Sequence, residues 1–151
     1  MAVVRAVSVM SRDVERIAVR DTVMLDHRER REPSALHTGL RGTKIRFALP
    51  AGTRLMHDDR VVLDDGSAVE IVARPERLLE VRAPDLANLA RAAWLLGDHH
   101  IPAEIHPRYV RVLQTAETGN LLATLAVTVR EIEAPFEPEG GAYLHEMPVT
   151  A

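Results

Sequence analysis

Cysteine is absent from this 151-residue chain, so neither a disulfide framework nor a thiolate metal site can be built. Any metal has to be held by nitrogen and oxygen, which suits nickel, copper or labile zinc better than a closed structural zinc. Aromatic residues make up only 3% and the formal net charge is −3, a combination that argues against nucleic-acid binding, which needs a basic face and often stacking platforms. No apolar run approaches the roughly 20 residues that span a bilayer, and the N-terminus has no signal-peptide core; a soluble, cytoplasmic protein is expected. Also missing are a His-Glu-x-x-His helix, a nucleophile elbow and a phosphate loop, so a hydrolase reading has only Glu104 to offer as a general base.

What is present divides in two. Hydrophobic residues reach 46%, enough for one sizeable core or two small ones. Residues 1–75 carry 13 Lys+Arg against 11 Asp+Glu, while residues 76–151 carry 6 against 11, about +2 and −5. Cations are therefore better accommodated by the second half. Arg74-Pro75-Glu76 is a natural boundary, because proline interrupts the strand pattern where the charge balance changes.

In the first half, residues 2–9, 16–19 and 22–25 are rich in β-branched residues and read as strands, and residues 44–49 alternate polar and apolar with the period of a half-buried strand. Residues 60–63 and 68–72 flank Asp64-Asp65-Gly66-Ser67, a hairpin whose turn chemistry fully accounts for both aspartates. A small all-β domain over residues 1–75 follows. Between its strands, residues 26–32 (Asp-His-Arg-Glu-Arg-Arg-Glu) are charged throughout. That run is either a solvated face or a docking surface in which Arg28, Arg30 and Arg31 pair with partner carboxylates.

In the second half, residues 78–82 read as a strand, and Pro84-Asp85 starts a helix in which Leu86, Leu89, Ala90, Ala93 and Leu96 form one face, closed by Gly97. Residues 103–105 and 109–113 are short extended runs, residues 116–125 a second helix weakened by Gly119, and residues 126–132 a final strand. The order β-α-β-β-α-β is that of a ferredoxin-like split unit over residues 76–143, followed by a flexible tail over residues 144–151 that holds His145. The fold class is α+β.

The chain is organised around Leu96-Gly97-Asp98-His99-His100-Ile101-Pro102, where two imidazoles follow a helix end. Backbone dipoles leave partial negative charge there, which suits a bound cation and equally suits imidazolium alone. Because Ile101-Pro102 forces extended backbone, the two rings point apart.

With its continuation to Ile105, this run resembles the Leu-Gly-Asn-Arg-His-x-Pro-x-x-Ile signature of the urease accessory protein UreE family, the nickel metallochaperones of urease maturation. Residues 133–143 (Glu-Ala-Pro-Phe-Glu-Pro-Glu-Gly-Gly-Ala-Tyr) resemble the family's Pro-Phe-x-Pro-Glu-x-Gly-Ala-Tyr ending. The resemblance implies a β-rich partner-binding domain, a ferredoxin-like domain, and a homodimer in which His100 of each copy binds one shared Ni(2+). Zn(2+) and Cu(2+) would bind the same donors in vitro. It further implies contacts with other urease accessory proteins and apo-urease, and allows a dimer of dimers around one ion. His145 stands where relatives carry additional histidines, while His99 is a weaker ligand candidate; His27, His37, His57 and His106 read as surface residues. Asp98-His99 replaces the usual Asn-Arg, a histidine-rich tail is missing, and Gln114-Thr115-Ala116 lacks a histidine pair seen in some relatives. Fewer ligands imply transfer of one ion rather than storage, with a protein-binding adaptor of little metal role as the alternative.

Overall fold

A computed structural model describes residues 3–10, 17–33 and 36–140, with two compact units, Met1–Arg74 and Pro75–Ala151. In the first unit, β1 (Val3–Met10), β2 (Val19–Leu25), β3 (Leu36–Thr38), β4 (Lys44–Phe47), β5 (Arg60–Leu63) and β6 (Ala68–Ala73) form one sheet in the order β2-β6-β5-β1-β4-β3. The pairs β1/β4 and β2/β6 are parallel; the remaining three are antiparallel. Alternation is what makes these strands, since Val23 and Leu25, Ile45 and Phe47, and Val61 and Leu63 all point into one core with Leu55, Val69 and Ile71. Each such side chain contributes about 1.5–3 kcal/mol by leaving water. Between β5 and β6, Gly66 takes a φ of 84°, the left-handed geometry the Asp-Gly turn calls for.

The first unit is not purely β. A one-turn helix, α1 (His27–Arg31), occupies the charged run, held by a capping box in which Asp26 accepts from the Glu29 N–H at 2.8 Å and Glu29 accepts from the Asp26 N–H at 3.0 Å. Short helices of this kind come from their caps rather than from apolar periodicity, which this run lacks.

The second unit contains β7 (Glu76–Arg82), α2 (Leu86–Asp98), β8 (Ala103–Ile105), β9 (Val110–Leu113), α3 (Ala116–Leu122) and β10 (Thr128–Ala134). Its four strands pair antiparallel in the order β10-β7-β9-β8. Leu79, Val81, Val110 and Val112 pack with Leu89, Ala92 and Leu96 of α2 and Leu122 of α3. Thr115 caps α3 through a box with Thr118, and Asp85 caps α2 by accepting from the Asn88 N–H at 2.8 Å. Alternate residues of the strands face away from the helices. There, Arg130 of β10, Glu80 of β7, Arg111 of β9 and Glu104 of β8 stand in register, one row of alternating charge across all four strands.

Candidate metal centre

Helix α2 brings the paired histidines to the surface. It buries Leu89, Ala92 and Leu96. Leu86 and Trp94 are instead 74% and 69% exposed, so the buried stripe is rotated from the one the apolar spacing predicts. Gly97 does not close the helix either. It stays helical, the last helical residue is Asp98, and His99 is the C-cap with φ −85° and ψ 7°.

The left-handed residue is His100, with φ 57°. Its N–H donates to the Gly97 carbonyl at 3.0 Å and the Ile101 N–H donates to the Leu96 carbonyl at 2.9 Å, the two bonds of a Schellman closure. A non-glycine residue there costs on the order of 1 kcal/mol, although histidine tolerates it better than most side chains. The chain thus spends stability to put an imidazole where glycine would close the helix best. Both His99 and His100 are exposed, and Pro102 fixes the turn into β8.

Among the described residues no group of three or more His, Cys, Asp or Glu is placed to hold a metal ion. His99 and His100 alone are too few donors for a selective site in one copy, and nitrogen or oxygen donors must come from elsewhere. His145 and the rest of the tail from 144 lie outside the described residues. The segment leading to them is well anchored as far as Gly140: Phe136 is fully buried, the Glu137 N–H donates to Glu104 Oε2 at 2.9 Å, and the Glu139 N–H donates to the Ala103 carbonyl at 2.8 Å.

Of the other histidines, His57 is exposed as expected and His37 and His106 are half-buried, and all three make contacts within their own units. His106 contacts Glu104 and stacks on Tyr109 with centroids 4.4 Å apart, His37 packs edge-on against Phe47, and His57 Nδ1 accepts from the Ala73 N–H at 3.1 Å. Each is committed to its own unit.

Of the three arginines expected in a docking surface, Arg28 and Arg31 are exposed while Arg30 is 1% exposed. Arg30 Nε donates to the Leu25 carbonyl at 3.3 Å and its own carbonyl accepts from the Leu55 N–H at 2.8 Å. Its guanidinium ties α1 to β2, so it is a structural residue and no partner contact. Arg31 lines a recess of about 370 Å³ with Glu32, Pro33, Phe47, Leu49 and Pro50.

Sequence reading passed over the row on the far face of the second sheet. Burial opposes ionisation of Glu80, but hydrogen bonds from Arg111 and Arg82, with the charges of Arg82 and Arg130, hold its carboxyl below the usual carboxylate range. Arg82 and Arg111 also lie over the Tyr109 ring, at 4.7 and 4.9 Å from its centroid. Single charges spaced along separate strands give no signal until register brings them together.

Residues 76–149 match the family model described as the UreE urease accessory protein C-terminal domain. The chain is 42% identical over 139 residues to the urease accessory protein UreE of Beijerinckia indica, covering 92% of this chain and 80% of that protein. It is 39% identical to that of Bradyrhizobium sp. strain ORS 278, covering 93% of this chain and 67% of the relative. For the Rhodopseudomonas palustris HaA2 protein the identity is 42%, over 82% of this chain and 57% of that protein's length, so the chain spans little more than half of some relatives. By these matches the chain belongs to the urease accessory protein UreE family.

Proposed function

We propose that this chain is a nickel metallochaperone that carries Ni(2+) at a homodimer interface and hands it to apo-urease and the other urease accessory proteins. Family membership supports a role in urease maturation, and delivery rather than catalysis follows from the donor set. The observation that carries the reading is His100, an exposed imidazole kept in the left-handed closing position of α2 at a cost in stability. Strain held at an exposed ligand-type residue is an indication of use.

One imidazole binds weakly, and two-fold symmetry supplies a second without further sequence. Leu86 and Trp94, exposed on the helix that ends at His100, give the second unit an apolar surface to place against a copy of itself. His145 then adds donors from the tail, and His99 is the lesser candidate. The few neutral imidazoles of such a site hold an ion without sequestering it, and protons compete with the metal as pH falls through the imidazole range near ~6.5. Zn(2+) and Cu(2+) compete for the same donors. The strand order β10-β7-β9-β8, with a helix after the first and third strands, supports a ferredoxin-like reading of this unit. A cytoplasmic location and, beyond the dimer, pairing of dimers around one ion belong to the same proposal.

A second reading, a protein-binding adaptor with little metal role, is favoured by the recess beside exposed Arg31 in the first unit. Calorimetric titration of nickel into the wild-type and His100→Ala proteins, with mass followed by light scattering, separates the two. One ion per two chains, lost in the variant, is the expected result. Absent binding overturns nickel delivery and leaves the adaptor, whereas unchanged binding in the variant overturns the assignment of the site to His100.

A further inference from the structure

We infer that Gly97 is a positioning residue for the shared nickel site, a bare place on α2 that lets a second copy come close enough for both His100 imidazoles to reach one ion; this rests on the proposed nickel-carrying homodimer. Nothing within the chain asks for glycine there. Gly97 is helical, is not among the glycines of positive φ (Gly42, Gly52 and Gly66), and a Cβ built on it would meet no atom within 4 Å among the described residues. Its carbonyl accepts from the His100 N–H, a bond that alanine would make equally well. At an exposed helical position alanine favours folding over glycine by about fivefold. Gly119 of α3 is exposed and open in the same way, so an unconstrained helical glycine alone carries no assignment. Place separates the two.

Gly97 follows Trp94 by three residues and Leu86 by eleven, so at 3.6 residues per turn all three share one face of α2, turned away from the buried Leu89, Ala92 and Leu96. Trp94 and Leu86 are the 69% and 74% exposed side chains of that face, whereas α3 has no large exposed apolar residue. Helical side chains lean toward the N-terminus, so the area Trp94 offers a partner lies on the Leu86 side of its own Cα. The helix end stays uncovered, as the open Cβ position at Gly97 shows.

The ion sets how near two copies must come. Metal–imidazole bonds of ~2 Å put two ligating ring nitrogens within ~4 Å of each other, so a two-fold axis through a shared ion passes beside both His100 residues. His100 lies only three residues beyond Gly97, and the two α2 ends must therefore converge. Helix axes pack roughly 8–10 Å apart according to the side chains between them, and glycine at the contact permits the low end of that range. Trp94 and Leu86 supply apolar area to the interface; Gly97 supplies closeness where the donors are. A methyl group at position 97 would enter the contact twice, once from each copy.

Gly97→Ala and the matched Gly119→Ala test this in the full chain, each made alone and together with Trp94→Glu as a monomeric background. Mass is followed by light scattering through a dilution series without metal, nickel by calorimetric titration, and stability by urea midpoints of the monomeric proteins. Both alanines are expected to raise the midpoint. Only Gly97→Ala should weaken dimerisation, by about tenfold or more, with nickel affinity falling in step. A Gly97→Ala protein that dimerises and binds nickel as Gly119→Ala does overturns the positioning role and leaves nickel delivery intact. So does a midpoint that falls in the monomeric background, since glycine would then be needed within the chain, and so does a Trp94→Glu protein that stays dimeric. Absent nickel binding by wild type overturns the delivery reading and the positioning role together.

Discussion

Glu80 of β7 and Arg111 of β9 stand opposite one another in the ladder, and both Nε and Nη2 of the arginine donate to one carboxylate oxygen of the glutamate, at 3.3 and 3.2 Å. Glu80 is 3% exposed and also serves Arg82 and Arg130, so one buried acid compensates three cations. Replacing it with Gln keeps its shape and removes the charge that makes those bonds strong.

For Glu80→Gln a loss of about 2 kcal/mol is expected, below the ~3–5 kcal/mol of a fully buried pair because Arg82 and Arg130 keep much of their contact with water. The pH dependence has a definite sign. Since the folded carboxyl ionises below its unfolded value near ~4.3, the stabilisation is complete above that value and disappears as pH falls through the folded one. Urea melts of wild type and variant, run from neutral pH to below 4, should converge at the acid end. A constant gap between the two curves would be inconsistent with an ionised Glu80 as the source.

Asp21 and Gly39 make a similarly tight relation in the first unit. The Asp21 carboxylate accepts from the N–H groups of Thr22, Arg41 and Thr43 at 2.7, 2.9 and 3.1 Å, and a Cβ on Gly39 would run into it. Burial alone would raise this carboxyl, but the hydrogen bonds from Arg41, Thr22 and Thr43 prevail and it is lowered. Gly39→Ala should therefore cost about 1–3 kcal/mol by overpacking, and Asp21→Ala a similar amount by leaving buried N–H groups without an acceptor. Urea midpoints should fall with unchanged slope, and the double variant should lose less than the two singles together, because without the carboxylate the added methyl group has room. Additive losses would mean that the collision is relieved by some other movement.

At the proposed metal centre, stability and function should move in opposite directions. Glycine at position 100 removes the penalty of φ 57°, so His100→Gly is expected to stabilise the fold by up to about 1 kcal/mol while weakening nickel binding at least as much as His100→Ala. Thermal unfolding without metal, compared across wild type and the two variants, gives the first quantity and titration the second. A His100→Gly protein that unfolds earlier than wild type would show that the backbone at 100 carries no strain.

How much of this could be read in the sequence depends on the range of the interaction. Hairpin 60–73 and the start of α2 were legible because their determinants, Asp-Gly in a turn and Asp85 before an apolar run, act over a few residues. The helix end was misread by the same logic. Glycine is the usual left-handed residue, and nothing local to Gly97 shows that the closing position falls three residues later, on His100. Arg30 looked like its exposed neighbours because charge patterns do not record which way a one-turn helix faces. The Arg130-Glu80-Arg111-Glu104 row needed strand register, which is set by long-range pairing, and Glu104 was passed over as a solitary acid for that reason.

Trp94 is the last case, a residue whose exposure has no purpose within one chain. It is 69% exposed on α2, and Leu86 two turns earlier on the same helix is 74% exposed. A tryptophan side chain is a large apolar area to leave in water, and anchors of this kind commonly dominate the interfaces they enter. If the second unit dimerises through this face, Trp94→Glu places two carboxylates at the two-fold contact and should give monomers by light scattering at concentrations where wild type is dimeric. Folding of the monomer should be nearly unaffected, within about 0.5 kcal/mol, because an exposed side chain contributes little to its own core. Nickel binding by the monomeric variant should fall to the level of His100→Ala, since each copy would be left with its own imidazole alone. A Trp94→Glu protein that remains dimeric would place the interface on another surface and detach the exposed stripe of α2 from the metal site.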